Sequence, residues 1–199
     1  MSSLSIRPAT AADAEAIAAL HRGTHAEHVA MIEGYDARPW DDEIIARLID
    51  PGAEARPFTV LVAALGGHFA GHLALHPIKA LVEGQRLFHI SDVSVRAGDR
   101  GYGVGRALVK AAEEEATREG ATAIIAQIWP ANTASQQFFA AMGYSSKPDS
   151  KRGLVVAGKA LGEAPPLAQA PANLDRFALI GAMGLLAFIG TAILLGLLT

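Results

Sequence analysis

The pattern of apolar and polar positions predicts strands and helices over residues 4–161. Strict alternation marks strands, and a recurrence every three to four residues marks helices. The predicted strands are 4–8, 58–65, 68–76, 87–95, 122–129 and 153–161. The predicted helices begin after Thr10 and then cover 39–48, 104–119 and 133–142. Room remains for one more strand near Tyr144, and the whole order predicts an α/β fold, a mixed sheet with helices on both faces.

Two short motifs support these boundaries. Thr10, followed three residues later by Asp13, has the spacing of a capping box, in which side chains satisfy the first N–H groups of a helix. Gly66-Gly67 lies between two alternating runs and predicts a hairpin turn, because glycine adopts the positive φ that such turns require.

The most apolar segment is residues 177–198, which are 22 residues without a charge. As a helix it would span about 33 Å, close to the roughly 30 Å hydrocarbon core of a bilayer. We therefore predict a transmembrane helix, the alternative being a buried core helix. Residues 162–176 are rich in Pro and Ala and predict a tether from the domain 1–161, and Arg176 favours a cytoplasmic domain. Small residues spaced four apart in the apolar segment suit packing into a homodimer.

The composition narrows the classes of function. The chain has 199 residues, which is enough for one domain with its own core, and a net charge of −3. It has no basic stripe, so it lacks the signature of a nucleic-acid-binding protein. It has no cysteine, which excludes disulfides, thiolate metal sites and a cysteine nucleophile.

A glycine-rich segment, Arg100-Gly101-Tyr102-Gly103-Val104-Gly105, joins a predicted strand to a predicted helix. The unpaired N–H groups at a helix N-terminus attract phosphate, and glycine lets the backbone approach the anion. The segment therefore predicts a pyrophosphate site, the alternative being an ordinary glycine turn. A dinucleotide-binding turn is disfavoured, because its glycine spacing differs and no acidic residue follows about 20 residues later.

After this loop the chain continues through a predicted helix and a predicted strand to the motif N-x-x-S-x-x-F-F-x-x-x-G-Y at 132–144. This succession resembles the GNAT acyltransferase superfamily. The resemblance covers residues 4–161 and is most specific over 87–144. It implies a mostly antiparallel mixed sheet and acetyl-CoA as co-substrate. The coenzyme-binding residues that it implies are Val93, Val95, Arg100, Gly101, Tyr102, Gly103, Val104, Gly105, Arg106, Asn132 and Ser135.

Acyl transfer to an amine requires a general base. Asp92, beside the valines expected to hold the thioester, is the first candidate, the alternative being a satisfied core aspartate or a polar residue at a bulge. His89 is the second candidate, the alternative being a solvent-facing strand position. Phe139 stands where many family members have a tyrosine that protonates the leaving sulfur. The coenzyme then leaves as a thiolate, or water, Ser135 or another hydroxyl donates the proton.

The seven histidines form two spaced sets, His21/His25/His28 on one helix face and His68/His72/His76 on one strand face. Neither set has a cysteine or a nearby acidic ligand at a familiar spacing, so no metal site is predicted. The resemblance places an acceptor site near Tyr35 and Trp40, whose rings suit a cationic amine.

Two functions follow from these residues. The first is a membrane-tethered N-acetyltransferase that transfers the acetyl group directly to a small-molecule or peptide amine. The alternative is a membrane-tethered acyl-CoA-binding sensor or scaffold with little catalysis, which Phe139 favours.

Overall fold

The computed structural model describes residues 3–35, 45, 58–78 and 86–162. Its strands are β1 (Leu4–Pro8), β2 (Thr59–Leu65), β3 (His68–Ile78), β4 (Leu87–Val95), β5 (Ala123–Ile128), β6 (Ser145–Asp149) and β7 (Leu154–Ala160). Its helices are α1 (Ala14–Met31), α2 (Val104–Arg118) and α3 (Thr133–Ala141). The strands form one sheet in the order β1-β2-β3-β4-β5-β7-β6, in which only β4 and β5 are parallel among the described pairs.

This architecture confirms the predicted α/β fold. The additional strand expected near Tyr144 is β6, and Gly66-Gly67 turns between β2 and β3 with positive φ at both residues. The predicted helix 39–48 lies outside the described residues except for Ile45, which is helical and buried. The predicted tether and the apolar segment 177–198 lie outside them too. No helix in the part of the chain that the structure describes is long and apolar enough to cross a bilayer.

The sheet has two differently filled faces. One face carries α2, whose buried stripe is Val104, Leu108, Val109, Ala112 and Ala116. The spacing of three to four residues sets this stripe against the sheet in the larger apolar cluster. The other face carries α1, where a smaller cluster is built from Ile17, Ala18, Ile45, Val60, Val62 and Ala74.

The start of α1 is fixed by a carboxylate. Asp13 Oδ2 accepts hydrogen bonds from the backbone N–H of Thr10 at 2.7 Å and from its hydroxyl at 2.9 Å, which confirms the predicted capping pair. Arg7 on β1 donates to both carboxylate oxygens, at 2.7 and 2.8 Å. The guanidinium lowers the pKa of Asp13 to about 2. This end of the helix is therefore tied to the edge of the sheet.

Two β-bulges change which residues share a face. In β3, Gly71 pairs with Ala63 and Phe69 with Ala64, so Ala70 is an extra residue. The prediction that His68 shares a strand face with His72 and His76 is therefore wrong. His68 instead hydrogen-bonds through Nε2 to Asp99 Oδ1 at 3.1 Å, on the loop before α2.

The second bulge is in β4. Ala74 pairs with Asp92 and Leu75 with Ile90, which leaves Ser91 as the extra residue. The Ser91 hydroxyl donates to the carbonyl oxygen of Ala74 at 3.2 Å. Beyond this point β4 and β5 separate, since their parallel pairing ends at Ile90 and Ala126 although both strands continue. The separation opens the sheet between α1 and the loop that precedes α2.

Candidate functional site

A cleft of about 570 Å³ lies where β4 and β5 separate. Its walls come from α1, the second half of β4, the loop before α2, the end of β5 and the start of α3. The predicted coenzyme-binding residues that line it are Val93, Val95, Arg100, Gly101, Gly103, Val104, Gly105, Arg106, Asn132 and Ser135. Tyr102 is the exception, because it lies outside the lining and is 70% exposed.

The glycine-rich loop brings the N-terminus of α2 to the cleft. Gly101 and Gly103 have φ of +85° and +82°, a conformation that strains an L side chain. Gly103 immediately precedes α2, so the first N–H groups of the helix, which have no intrahelical partner, belong to Val104, Gly105 and Arg106, and these three residues line the cleft. Such an end binds anions through its N–H groups and its partial positive charge.

Arg100 at this loop is held by a carboxylate of α1. Its Nη2 donates to both carboxylate oxygens of Glu27, each at 2.8 Å, and its Nε donates to the carbonyl oxygen of Val95 at 3.1 Å. Arg100 and Glu27 both line the cleft. The guanidinium of Arg100, which the sequence predicts to bind phosphate, therefore already hydrogen-bonds to the carboxylate of Glu27.

The start of α3 forms the wall facing the loop. Asn132 Oδ1 accepts the backbone N–H of Ser135 at 3.0 Å and so caps the helix. The ideal Cβ position of Gly105 is 3.5 Å from the ring of Phe138, so α2 and α3 approach closely there. Phe139, which stands where the family resemblance suggests a tyrosine, is buried against Tyr144 with ring centroids 5.0 Å apart.

Asp92 lines the cleft and is held by three groups. Its Oδ2 accepts hydrogen bonds from His21 Nδ1 at 3.0 Å and His72 Nε2 at 2.8 Å, and its Oδ1 accepts the Ser94 hydroxyl at 3.1 Å. Burial disfavours the carboxylate, but the two imidazoles outweigh it and hold the pKa of Asp92 well below its ordinary value. Asp92 is thus an ionised, well-satisfied aspartate.

The same three residues present one ligand atom each within 4.8 Å of one another. They are the one group of potential metal ligands among the described residues, and they draw one histidine from each set noted in the sequence together with Asp92. An imidazole pair and a carboxylate form a donor set that zinc accepts.

His89 lies away from the cleft lining. Its ring is buried, with its centroid 5.2 Å from that of His76, which in turn stacks against Phe58 at 4.5 Å. Burial, with a smaller contribution from His76, lowers the pKa of His89 to about 3. The expectation of a solvent-facing His89 is wrong, and the structure does not bring this second base candidate to the site.

The α1 side of the cleft is rich in aromatic rings. Tyr35 packs against His25, His28 and Trp129, with centroids 5.4, 5.5 and 5.5 Å away. His28 and Trp129 line the cleft, and Asn132 Nδ2 lies 3.3 Å from His28 Nε2. Burial lowers the pKa of His28, which favours the neutral ring. Trp40, the other predicted acceptor residue, lies outside the described residues.

Sequence reasoning missed the roles of His21, His72 and Glu27. The spacing of the α1 histidines was visible, but their partners are 71 and 104 residues away along the chain, at Asp92 and Asn132. The signal that connects His72 to Asp92 is the bulge at Ser91, and strict alternation conceals it.

Solved structures resemble this fold over most of their length. The Salmonella typhimurium protein yncA, solved with its cofactor acetyl-CoA, is 24% identical with a TM-score of 0.61, over 83% of this chain and 98% of that one. The PaiA N-acetyltransferase of Thermoplasma acidophilum, in complex with coenzyme A, is 14% identical with a TM-score of 0.65, over 79% and 99%. The ribosomal-protein-S18-alanine N-acetyltransferase of Escherichia coli is 14% identical with a TM-score of 0.58, over 83% and 98%.

No protein with a curated description matches the chain in sequence. The sequence pattern of the acetyltransferase (GNAT) family, however, matches residues 17–144. That range includes most of α1, the loop before α2, the separated strands and α3, which together form the cleft. The match covers more than half of the chain, and the chain therefore belongs to the acetyltransferase (GNAT) family.

Proposed function

We propose that this protein is an N-acetyltransferase that uses acetyl-CoA and transfers the acetyl group directly to an amine. The observation that carries the proposal is the cleft itself. It begins at a glycine-rich helix N-terminus suited to pyrophosphate, follows the open edge of β4 and ends at the hydrogen-bonded Asp92. The proposal also rests on family membership and on similar folds solved with acetyl-CoA or coenzyme A.

The reaction needs a neutral amine, a polarised carbonyl and a departing thiol. The amine nitrogen forms a bond to the acetyl carbon, the carbon–sulfur bond breaks, and a proton passes from the amine to a base at the inner end of the cleft. The open backbone edge of β4 at Val93 and Val95 is suited to bind the pantetheine amide and the thioester oxygen. Transfer is direct, because the chain has no cysteine to carry the acetyl group.

The sulfur leaves without a tyrosine beside it at position 139. A thiol with a pKa near 8.5 leaves readily as a thiolate, which water or a hydroxyl then protonates. Ser135 lines the cleft at the start of α3 and is the hydroxyl that we assign to this position. If a Ser135→Ala variant keeps its turnover, water is the proton donor to the leaving thiolate.

The acceptor in this proposal is a cationic amine, either of a small molecule or of a peptide. The rings of Trp129 and His28 line the cleft, Tyr35 packs against both of them, and aromatic faces attract ammonium groups. Replacing Tyr35 with Leu should therefore raise the KM for a cationic amine more than it changes the affinity for acetyl-CoA.

The deciding experiment measures release of free thiol from acetyl-CoA by the full-length protein, with a panel of small amines, peptide N-termini and lysine peptides. We expect continuous release that depends on the amine, with an acetylated product of matching amount. The competing function is an acyl-CoA-binding sensor, which Phe139 favours because it offers no proton to the sulfur. Tight acetyl-CoA binding without turnover on any amine would support that function instead.

We also propose that residues 177–198 anchor the protein in a membrane, with domain 1–161 on the cytoplasmic side. The support is the apolar run of 22 uncharged residues with Arg176 before it. Full-length protein should stay with membranes in carbonate and high salt, because burial of apolar surface is not screened by ions. A Leu185→Arg, Leu186→Arg variant should be released, since each central arginine costs about 3 kcal/mol in a membrane helix. Release of the unchanged protein by salt would rule out the anchor.

A further inference from the structure

Asn132 fixes the hydrogen-bonding state of His28. Its Oδ1 accepts the backbone N–H of Ser135 at 3.0 Å, so the cap of α3 determines which way the amide points. The amide nitrogen, Nδ2, lies 3.3 Å from Nε2 of His28 on α1. Because an amide nitrogen only donates, the imidazole nitrogen that faces it is the acceptor. His28 is therefore a neutral ring with its proton on Nδ1.

The surroundings of His28 favour the same neutral state. Burial lowers the pKa of its ring, and it outweighs the carboxylates of Asp92 and Glu27, which raise the pKa. The imidazoles of His21 and His25 contribute in the same direction as burial. Since Nε2 faces an amide donor, a second proton on the ring would also set two N–H groups against each other.

The groups that face His28 come from both sides of the cleft. Among the described residues, the titratable and hydrogen-bonding side chains around it are His21, His25 and Glu27 on α1, Tyr35 after α1, Asp92 on β4 and Asn132 at the start of α3. A neutral His28 adds no positive charge to this wall. A protonated ring would place a cation there, beside the carboxylate of Asp92.

His28 belongs to the aromatic surface that we assign to the acceptor amine. It lines the cleft together with Trp129, and Tyr35 packs against both rings with centroids 5.5 Å away. Neutral aromatic faces attract ammonium groups, whereas a cationic imidazole repels them. The proton state of His28 therefore decides whether this wall attracts or repels a positive charge.

We propose that His28 selects the charge of the acceptor and that Asn132 is the positioning residue that keeps its ring neutral. The inference rests on the proposed N-acetyltransferase function and deepens it. The wall selects amines that arrive as cations, and protonation of His28 in acid closes the site to them. This loss sets in at a lower pH than an ordinary imidazole would give, because burial lowers the pKa of the ring.

The test replaces the amide of Asn132 with a carboxylate. Asp caps a helix about as well as Asn, so Asn132→Asp should preserve the start of α3. The carboxylate accepts where the amide donates, and it therefore favours a proton on Nε2 of His28. In full-length protein at pH 6, the KM for the cationic amine should rise about tenfold or more, and kcat should change less. The probes are butylamine, an alanine peptide with a free N-terminus and a lysine peptide.

Two further variants isolate the effect of His28. Gln137→Glu makes the same amide-to-carboxylate change at an exposed position of α3 outside the cleft lining, and it should keep the KM and its pH dependence. His28→Phe removes the titrating nitrogens, and in this background Asn132→Asp should change the KM less than about twofold. An equal rise in both backgrounds overturns the inference, because the carboxylate would then act on the coenzyme or on the fold. Calorimetry with acetyl-CoA on each variant measures the effect on coenzyme binding separately.

Nitrogen NMR of the His28 ring tests the inference without an acceptor. In full-length wild-type protein at pH 7, Nδ1 should carry the proton and Nε2 the lone pair, and Asn132→Asp should raise the pH at which the ring titrates. A ring with its proton on Nε2, or with two protons, overturns this inference and leaves the proposed function in place. Absence of wild-type turnover on every amine overturns the proposed function and the selection of charge together, even where the ring has the expected state.

Discussion

The two walls of the cleft are built in opposite ways. The loop wall, residues 93–106, consists of consecutive residues whose backbone conformation brings the start of α2 to the cleft. The α1 wall combines α1 residues such as His28 with Asp92 on β4, and Asp92 is held by side chains of two elements, His21 on α1 and His72 on β3. The geometry of the loop wall depends on a few glycines that follow one another closely in the sequence. The geometry of the α1 wall depends on the register of the strands, because its side chains are distant in the sequence. Their responses to mutation should differ accordingly.

The substitution Asp92→Asn should have the largest effect on the α1 wall while leaving the loop wall intact. The neutral amide removes the negative charge to which both imidazoles donate, so we expect kcat to fall about 100-fold or more. Acetyl-CoA affinity, which the loop wall determines, should stay within about twofold by calorimetry. Equal losses of turnover and coenzyme affinity would mean that the two walls are one functional unit. A circular dichroism spectrum like that of the wild type is the control for folding.

His89 extends the comparison to a residue on the α1 side of the sheet that the cleft does not use. Its buried ring stays neutral down to a pKa of about 3, whereas the unfolded chain has an imidazole near 6.5. The unfolded state therefore binds more protons between these values, and stability falls as pH drops through this window. The loss between pH 7 and pH 5 should be about 2 kcal/mol from this ring.

The variant that checks this is His89→Leu, which should reduce that pH dependence in urea unfolding curves measured at pH 5 and pH 7. Turnover should persist, because His89 lies away from the cleft lining. An unchanged pH dependence would mean that the ring is protonated or hydrated in the folded protein. A loss of turnover in the folded variant would restore His89 as a base.

Gly103→Val breaks the loop wall alone. A valine at φ +82° strains the turn and places bulk where a phosphate must approach, so acetyl-CoA affinity should fall at least about tenfold, roughly 1.4 kcal/mol. Gly143→Val is the matched control, because Gly143 has the same φ of +82° and equally open surroundings but lies outside the cleft lining. Similar coenzyme affinity in the two folded variants would contradict the pyrophosphate assignment.

The smallest effect tests an exposed ion pair that joins the walls, between Arg100 and Glu27. Removing the competing carboxylate in Glu27→Gln should tighten coenzyme binding about threefold, within the range of an exposed ion pair. The gain should shrink in high salt, because exposed charges are screened. Glu15→Gln, at an exposed acidic position in the first turn of the same helix, should change nothing. Weaker binding in Glu27→Gln would mean that Glu27 orients Arg100 for phosphate.

The same contrast explains what the sequence could predict. Gly101 and Gly103 are informative because a short motif fixes their conformation, and nearly all residues assigned to the loop wall do line the cleft. The α/β order followed from periodicity for the same local reason, whereas the strand near Tyr144 was expected only because the chain left room for it.

What the sequence could not predict depends on single extra residues in strands. Strict alternation puts His68 on the face of His72, but the bulge at Ala70 moves it to the other face. The pairing of His21, His72 and Asp92 depends on the register of β3 against β4 and on how α1 lies over both. Such placement is set by tertiary packing, and the alternation of one strand carries no signal for it.

The bulge at Ser91 acts as a change of parity along β4. Before it, the residues that enter the larger core have even numbers, Phe88 and Ile90, and after it they have odd numbers, Val93 and Val95. Asp92 faces the histidines only because the count is shifted by one. The segment should therefore tolerate many substitutions at position 91 but no deletion there. Removing Ser91 would restore strict alternation and exchange the polar and apolar faces of everything that follows on the strand.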